Sequence, residues 1–122
     1  MTAVGSYLPA NVVTNEALSS FVDTDDAWIR RRTGIGQRHL VEEGETTADL
    51  ACNAAAKALA NAGLTGGDID IIIIATTTPD NTFPSTATKL QHMIRAKGAI
   101  AFDIQAVCAG FVYALDIADA ML

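Results

Sequence analysis

Sulfur is scarce in this chain: Cys52 and Cys108 are the only cysteines among 122 residues. They lie far apart, with neither CxxC nor metal-ligand spacing, which argues against a disulfide scaffold and a thiolate metal centre. With no sign of export, both read as reduced thiols in a cytoplasmic protein. Positive charge is also short. Eight Lys and Arg stand against fourteen Asp and Glu, a net charge of −6, which argues against general binding to nucleic acid or a membrane surface. Long apolar runs are missing; the longest block centres on Ile71-Ile72-Ile73-Ile74, far short of a membrane span. The first nine residues hold no cationic stretch followed by an apolar one, so no secretory signal is expected. No internal repeat, low-complexity segment or linker is present. No GxGxxG follows a strand, so a dinucleotide-binding reading has little support. What remains is half apolar and 18% charged, the profile of a soluble globular domain long enough to bury a core.

Strand and helix signals alternate along the chain, predicting an α/β layer fold with a largely parallel sheet. A short first strand is expected over 1–6, ended by Leu8-Pro9. Two short helices are expected over 15–22 and 25–32, then an extended segment over 36–41. The clearest helix is 46–62: Thr46 and Asp49 are spaced close to a capping box, alanine fills the interior, and Gly63 falls where a left-handed cap belongs. Ile71 to Ala75 suits a strand buried on both faces. Pro84 is placed to open a helix reaching about Ala96. A second buried strand is expected over 99–104. A last helix starts near Val107, with Phe111, Leu115, Ala118 and Leu122 as its apolar stripe. That stripe runs to the final residue, so a fragment of a longer protein is expected.

Cys108 falls in Gln105-Ala106-Val107-Cys108-Ala109-Gly110-Phe111, after a buried strand and in the first turn of the next helix. Helix amino termini offer unpaired N–H groups and positive potential, which favour thiolate over thiol. The same amides can steady an oxyanion when sulfur attacks a thioester carbonyl. Ala109 and Gly110 leave room for a substrate. On the residues alone a packing role is the favoured reading, because cysteine at such a junction is usually a small buried apolar residue. Cys52, mid-helix among alanines, reads as packing only.

Trp28 and Arg32 are four residues apart and share a helix face. An indole can stack a purine, and a guanidinium can join the stack or grip phosphate. Arg30, Arg31, Arg32 and Arg38 are half of all the Lys and Arg, a concentration that suits a polyanion such as the nucleotide end of coenzyme A. The alternative on the residues alone is Trp28 as a core anchor, with the arginines paired to Asp23, Asp25 and Asp26.

Four segments, in order, resemble the ketoacyl synthase III branch of the thiolase superfamily. They are Gly5-Ser6-Tyr7-Leu8-Pro9; Asp23-Thr24-Asp25-Asp26-Ala27-Trp28-Ile29 with Arg32-Thr33-Gly34-Ile35; Ala75-Thr76-Thr77-Thr78; and Ala101-Phe102-Asp103 with Cys108-Ala109-Gly110-Phe111. The resemblance covers nearly the whole chain and implies a thiolase-like αβαβα sandwich. Of that sandwich, 1–122 would be the truncated amino-terminal half-domain, with strands 1, 2 and 3 of a 3-2-1-4-5 sheet. It implies an acyltransferase that starts fatty acid synthesis, moving acetyl or a short acyl group from coenzyme A to Cys108 and condensing it with malonyl-acyl carrier protein. Trp28 and Arg32 would sandwich the adenine of coenzyme A, and Thr24 matches a position near that nucleotide. Coenzyme A is then a substrate; no tightly bound cofactor or metal is expected. Such enzymes are homodimers, and the phenylalanine matching Phe83 reaches toward the acyl pocket of the other protomer. The histidine and asparagine that assist decarboxylation come from the second half; His39 and His92 match neither and read as surface residues. Two other readings compete: a non-catalytic thiolase-fold subunit or interaction module, and another condensing enzyme of the superfamily.

Overall fold

Residues 1–122 are described by a computed structural model, and they fall into two units: Leu8–Glu45, and Met1–Tyr7 with Thr46–Leu122. In the first unit the β-branched pair Val12-Val13 lies in β1 (Asn11–Thr14), a strand not expected from the sequence. It pairs antiparallel with β2 (Gln37–Leu40), Asn11 opposite Leu40 and Thr14 opposite Gln37. Thr14 ends the strand because its Oγ1 accepts the Ala17 N–H at 3.2 Å and opens α1 (Asn15–Ser19). That helix is shorter than the expected 15–22. Asp25 opens α2 (Asp26–Thr33) by accepting the Trp28 N–H at 2.7 Å, and Gly34 ends it at φ 74°. The centre of this unit is Asn15, fully buried. Its Nδ2 donates to Asp26 Oδ1 at 2.7 Å and to Ile35 O at 2.8 Å, and its Oδ1 accepts from Arg38 Nη2 at 2.9 Å. One amide therefore ties α1, α2, the turn after α2 and β2 together.

The second unit contains α3 (Thr47–Ala62), β3 (Ile71–Ala75), α4 (Thr86–Met93), β4 (Ile100–Ile104) and α5 (Gly110–Met121). Thr46 and Asp49 form the capping box of α3, and Gly63 closes it at φ 67°. β3 and β4 pair in parallel, Ile71 opposite Ile100 through Ala75 opposite Ile104. Ile72, Ala87, Leu90, Ala96 and Ala99 form the core, with Ala51, Cys52 and Ala55 of α3 packed against it. Burying side chains such as Ile72 and Leu90 stabilises the unit by about 1.5–3 kcal/mol each. Gly66 permits a close contact here: a Cβ at that position would sit within bonding range of the Ile94 carbonyl oxygen.

Three expectations need correction. Residues 1–9 form no strand. Within its unit the start of the chain lies along α3 instead: Val4 O accepts from Asn61 Nδ2 at 3.0 Å, and the Lys57 ammonium stands 5.7 Å from the Tyr7 ring centre. A strand needs a partner ladder for its N–H and C=O groups, and this segment has a helix beside it, so the parallel sheet has two strands rather than three. Pro84 does not open α4. Ser85 does, its Oγ accepting the Thr88 N–H at 3.2 Å. The helix stops at Met93 rather than near Ala96, as Arg95 adopts φ 63°, outside the right-handed helical region. No helix is long and apolar enough to cross a membrane.

Candidate functional site

β4 ends at Ile104, and the chain then turns sharply. Val107 adopts φ 46°, a left-handed conformation that a β-branched residue adopts only under strain. A single 3-10 turn, Val107–Ala109, follows, and α5 starts at Gly110. Cys108 therefore sits in that turn, just ahead of the helix, rather than inside its first α turn. Its thiol is exposed. No side chain caps α5, so the amides at its start have no side-chain acceptor. Gly110 allows the turn to sit against the end of β3: a Cβ there would lie 3.1 Å from Ala75 Cβ. Cys108 opens onto a groove of about 770 Å³, walled by Ile71 and Ile73 of the strand and by Phe111 and Leu115 of α5. The Ala109 N–H donates to the Ala106 carbonyl at 2.9 Å and the Gly110 N–H to the Val107 carbonyl, so the turn is closed by its own backbone. An exposed thiol beside an apolar groove is suited to receiving an acyl chain. Phe83, in the loop between β3 and α4, is 88% exposed.

The other candidates lie in the Leu8–Glu45 unit. Trp28 is 48% exposed, which rules out a core anchor. The Arg32 guanidinium carbon stands 5.8 Å from the indole centroid, so the two do share a face. A ring inserted between them needs about 7 Å, twice the base-stacking rise. Arg32 must swing outward before both can flank a purine. Thr24 Oγ1 is buried without a hydrogen-bond partner, an arrangement that costs about 1–3 kcal/mol unless something pairs with it. Asp23, Thr24, Asp25 and Trp28 line one small hollow of about 230 Å³.

The arginines divide between roles. Arg30 Nε pairs with Asp26 at 2.8 Å, and Arg38 donates to Asn15 and to the Val13 carbonyl. The Asn15 amide, and after it Arg30, hold the Asp26 carboxyl below its ordinary 3.8, against the opposing effect of burial. His39 is not a free surface residue: it is half-buried, and its Nδ1 donates to the Pro9 carbonyl at 2.6 Å. His92 is exposed. No three His, Cys, Asp or Glu residues cluster as a metal site. Two features escaped the sequence reading, the strained Val107 and the carboxylate of Asp103. A lone acid in Ile100-Ala101-Phe102-Asp103-Ile104 was the available signal for the second.

No family model matches the chain. The β-ketoacyl-[acyl-carrier-protein] synthase III of Paramagnetospirillum magneticum is 60% identical over 115 residues, 94% of this chain and 36% of that protein. The crystal structure of 3-oxoacyl-[acyl-carrier-protein] synthase III from Aquifex aeolicus is 51% identical, with a TM-score of 0.92, over 98% of this chain and 38% of that one. A priming β-ketosynthase from a polyketide biosynthetic pathway is 36% identical with a TM-score of 0.90, over 96% of this chain and 35% of that one. By sequence and by backbone, this chain belongs with the amino-terminal part of the β-ketoacyl-[acyl-carrier-protein] synthase III family, spanning little more than a third of the length of the relatives it matches.

Proposed function

We propose that this chain is the acyl-accepting segment of a β-ketoacyl-[acyl carrier protein] synthase III, the amino-terminal portion of its first thiolase-like half, with Cys108 as the nucleophile. The observation that carries the reading is the strained turn at Val107, which holds Cys108 exposed between β4 and the uncapped start of α5. The Cys108 thiolate attacks the carbonyl carbon of an acyl-coenzyme A. The new S–C bond forms, the bond to the coenzyme A sulfur breaks, and that sulfur leaves as a thiolate and takes up a proton. Backbone N–H groups near the turn stabilise the intervening oxyanion. Malonyl-acyl carrier protein then loses carbon dioxide, its α-carbon attacks the acyl-cysteine, and Cys108 is released. A histidine and an asparagine from outside residues 1–122 assist that second step.

Trp28, Arg32 and Thr24 hold the nucleotide end of coenzyme A. The unpaired Thr24 hydroxyl supports this, as it offers a buried hydrogen bond beside the exposed indole. Phe83 reaches the acyl pocket of the other protomer in a homodimer, and the enzyme works in the cytoplasm. Priming of a polyketide synthase is a second reading, favoured by the likeness to the priming ketosynthase; primer length separates the two. The test is brief treatment of the complete enzyme with acetyl-coenzyme A or iodoacetamide, followed by peptide mass spectrometry. Modification is expected on Cys108 and not on Cys52, which packs against the core. Preferential labelling of Cys52 overturns the assignment.

A further inference from the structure

Asp103 is the one charged residue in an otherwise apolar strand, and acyl transfer to Cys108 leaves it without a role. Its Oδ2 accepts the Thr86 N–H at 2.8 Å and its Oδ1 accepts the Ala87 N–H at 2.7 Å. These are the first two amides of α4; the third, Thr88, donates to Ser85 Oγ. Helix amides of this kind have no partner within the helix, so Asp103 completes the end of α4 from a neighbouring strand. The opposite end of the same loop is tied to the next residue of β4, because the Thr76 N–H donates to the Ile104 carbonyl at 3.1 Å. Residues 76–85 are thus suspended from two consecutive positions, Asp103 and Ile104, and Cys108 follows four residues later. Thr86 is fully buried, and its Oγ1 accepts the Asp80 N–H at 3.2 Å. Asp80 in turn accepts from the Ala48 N–H and from Lys89 Nζ, both at 3.3 Å. The loop that carries Phe83 is therefore braced against the strand that leads to the nucleophile.

We propose that Asp103 is a positioning residue for acyl-chain selection, fixing the loop 76–85 so that Phe83 is held where it meets the acyl chain in the pocket of the other protomer. The inference rests on the reading of Cys108 as the acylated residue and of Phe83 as a contact for the acyl chain. The side chain suits this role, since two acceptors on one planar carboxylate meet two consecutive amides. Asparagine offers one acceptor and turns an NH₂ toward an N–H, so it cannot hold both.

The experiment uses the complete enzyme and follows acylation of Cys108 by short and longer acyl-coenzyme A substrates, with intact-mass spectrometry and a thermal melt. Asp103→Asn is expected to change the short-to-long ratio of acylation rates by about tenfold, as small displacements of reacting groups do. Ser85→Ala weakens the same helix end without touching β4, so it should lower the melting temperature and leave the ratio unchanged. A folded Asp103→Asn enzyme with the wild-type ratio overturns the proposal, as does a ratio shifted equally by Ser85→Ala. Should Asp103→Asn fail to fold, Asp103→Glu decides by the same ratio, because it keeps both acceptors but displaces them by a methylene. Absence of acyl-Cys108 from the wild-type enzyme with every substrate defeats the reading of the site itself, which separates the two failures.

Discussion

An indole left 48% exposed with a guanidinium against it gains little from packing. Its usefulness lies in the flat face it can offer a ligand. Trp28→Ala in the complete enzyme is expected to weaken coenzyme A binding by about 1–3 kcal/mol, the worth of an aromatic stack with its cation. Arg32→Ala should also cost about 1–3 kcal/mol if its contact is a charge-assisted one to phosphate. Both variants should melt close to wild type, since neither residue belongs to the core. Titration calorimetry paired with thermal melts checks this; unchanged affinity with a lower melting temperature would make Trp28 a packing residue. Some of the candidate site's geometry was legible at this scale. Trp28 and Arg32 share a face because a four-residue spacing on a helix requires it, and Cys108 stood out by its place between strand and helix. The arginine cluster was misleading by half, as two of its members are engaged within the unit: Arg30 pairs with Asp26, and Arg38 donates to the Asn15 amide and the Val13 carbonyl. The strain at Val107 was not legible, because no local residue demands it; the chain must turn there to set α5 against the end of β3.

Helix ends are where side-chain chemistry and backbone geometry meet most directly. At the start of α3 the Asp49 N–H donates to Thr46 Oγ1 at 3.3 Å, and the Thr46 N–H donates to Asp49 Oδ2 at 2.9 Å. The Thr46 hydroxyl also donates to that carboxylate at 2.6 Å. The hydroxyl first, then the backbone N–H, hold the Asp49 carboxyl below its ordinary 3.8. A carboxyl lowered on folding contributes stability above its unfolded pKa and loses it as pH falls through the folded value. Hydrogen-exchange protection of the first turn of α3, corrected for intrinsic exchange, should therefore hold from neutral pH to near 3.8 and decline below it. Thr46→Ala should remove most of that pH dependence and destabilise the helix by about 1 kcal/mol. Identical pH profiles in both proteins would show that the box has no such role. Elements whose signals are local were readable in advance in their extent: α3 from its cap and Gly63, β3 from its isoleucines, β4 to within one residue. The burial expected of the two strands was not met: only Ile72 is buried, because the face of β3 that carries Ile71 and Ile73 lines the open groove. Elements defined by a distant partner were not readable in advance. β1 exists because β2 pairs with it, and the start of the chain forms no strand because no ladder adjoins it. The left-handed Arg95 ends α4 without any glycine to announce the stop.

For the whole molecule, the decisive feature is what the groove at Cys108 leaves uncovered. Phe111 is 65% exposed and Leu115 and Leu122 are exposed with it, all on the α5 stripe that walls the groove. Covering such side chains is worth about 1.5–3 kcal/mol each, so α5, next to Cys108, gains strongly from a further layer of protein. β3 and β4 form a sheet of only two strands, with backbone groups open along both edges. Residues 1–122 by themselves are accordingly expected to aggregate, or to become ordered when another chain covers these surfaces. Their chemistry is expected to stop early as well. With Cys108 as the proposed nucleophile, single acylation is within reach, because thiolates attack thioesters with little assistance. Condensation also needs groups that stabilise the charge left when malonyl loses carbon dioxide. His39 is committed to the Pro9 carbonyl, and His92 is an exposed residue of α4 with no cysteine among its neighbours in the groove it lines. Expressing residues 1–122 alone and assaying them with acetyl-coenzyme A and malonyl-acyl carrier protein should yield at most one acetyl group per chain and no β-ketoacyl product. Supplying the remainder of a synthase III in trans should restore some condensation where the two pieces assemble, and a Cys108→Ala segment should abolish that rescue. Multiple turnovers by the purified segment alone would mean that these residues hold a complete active site, and the proposed need for a histidine and an asparagine from outside them would have to be abandoned.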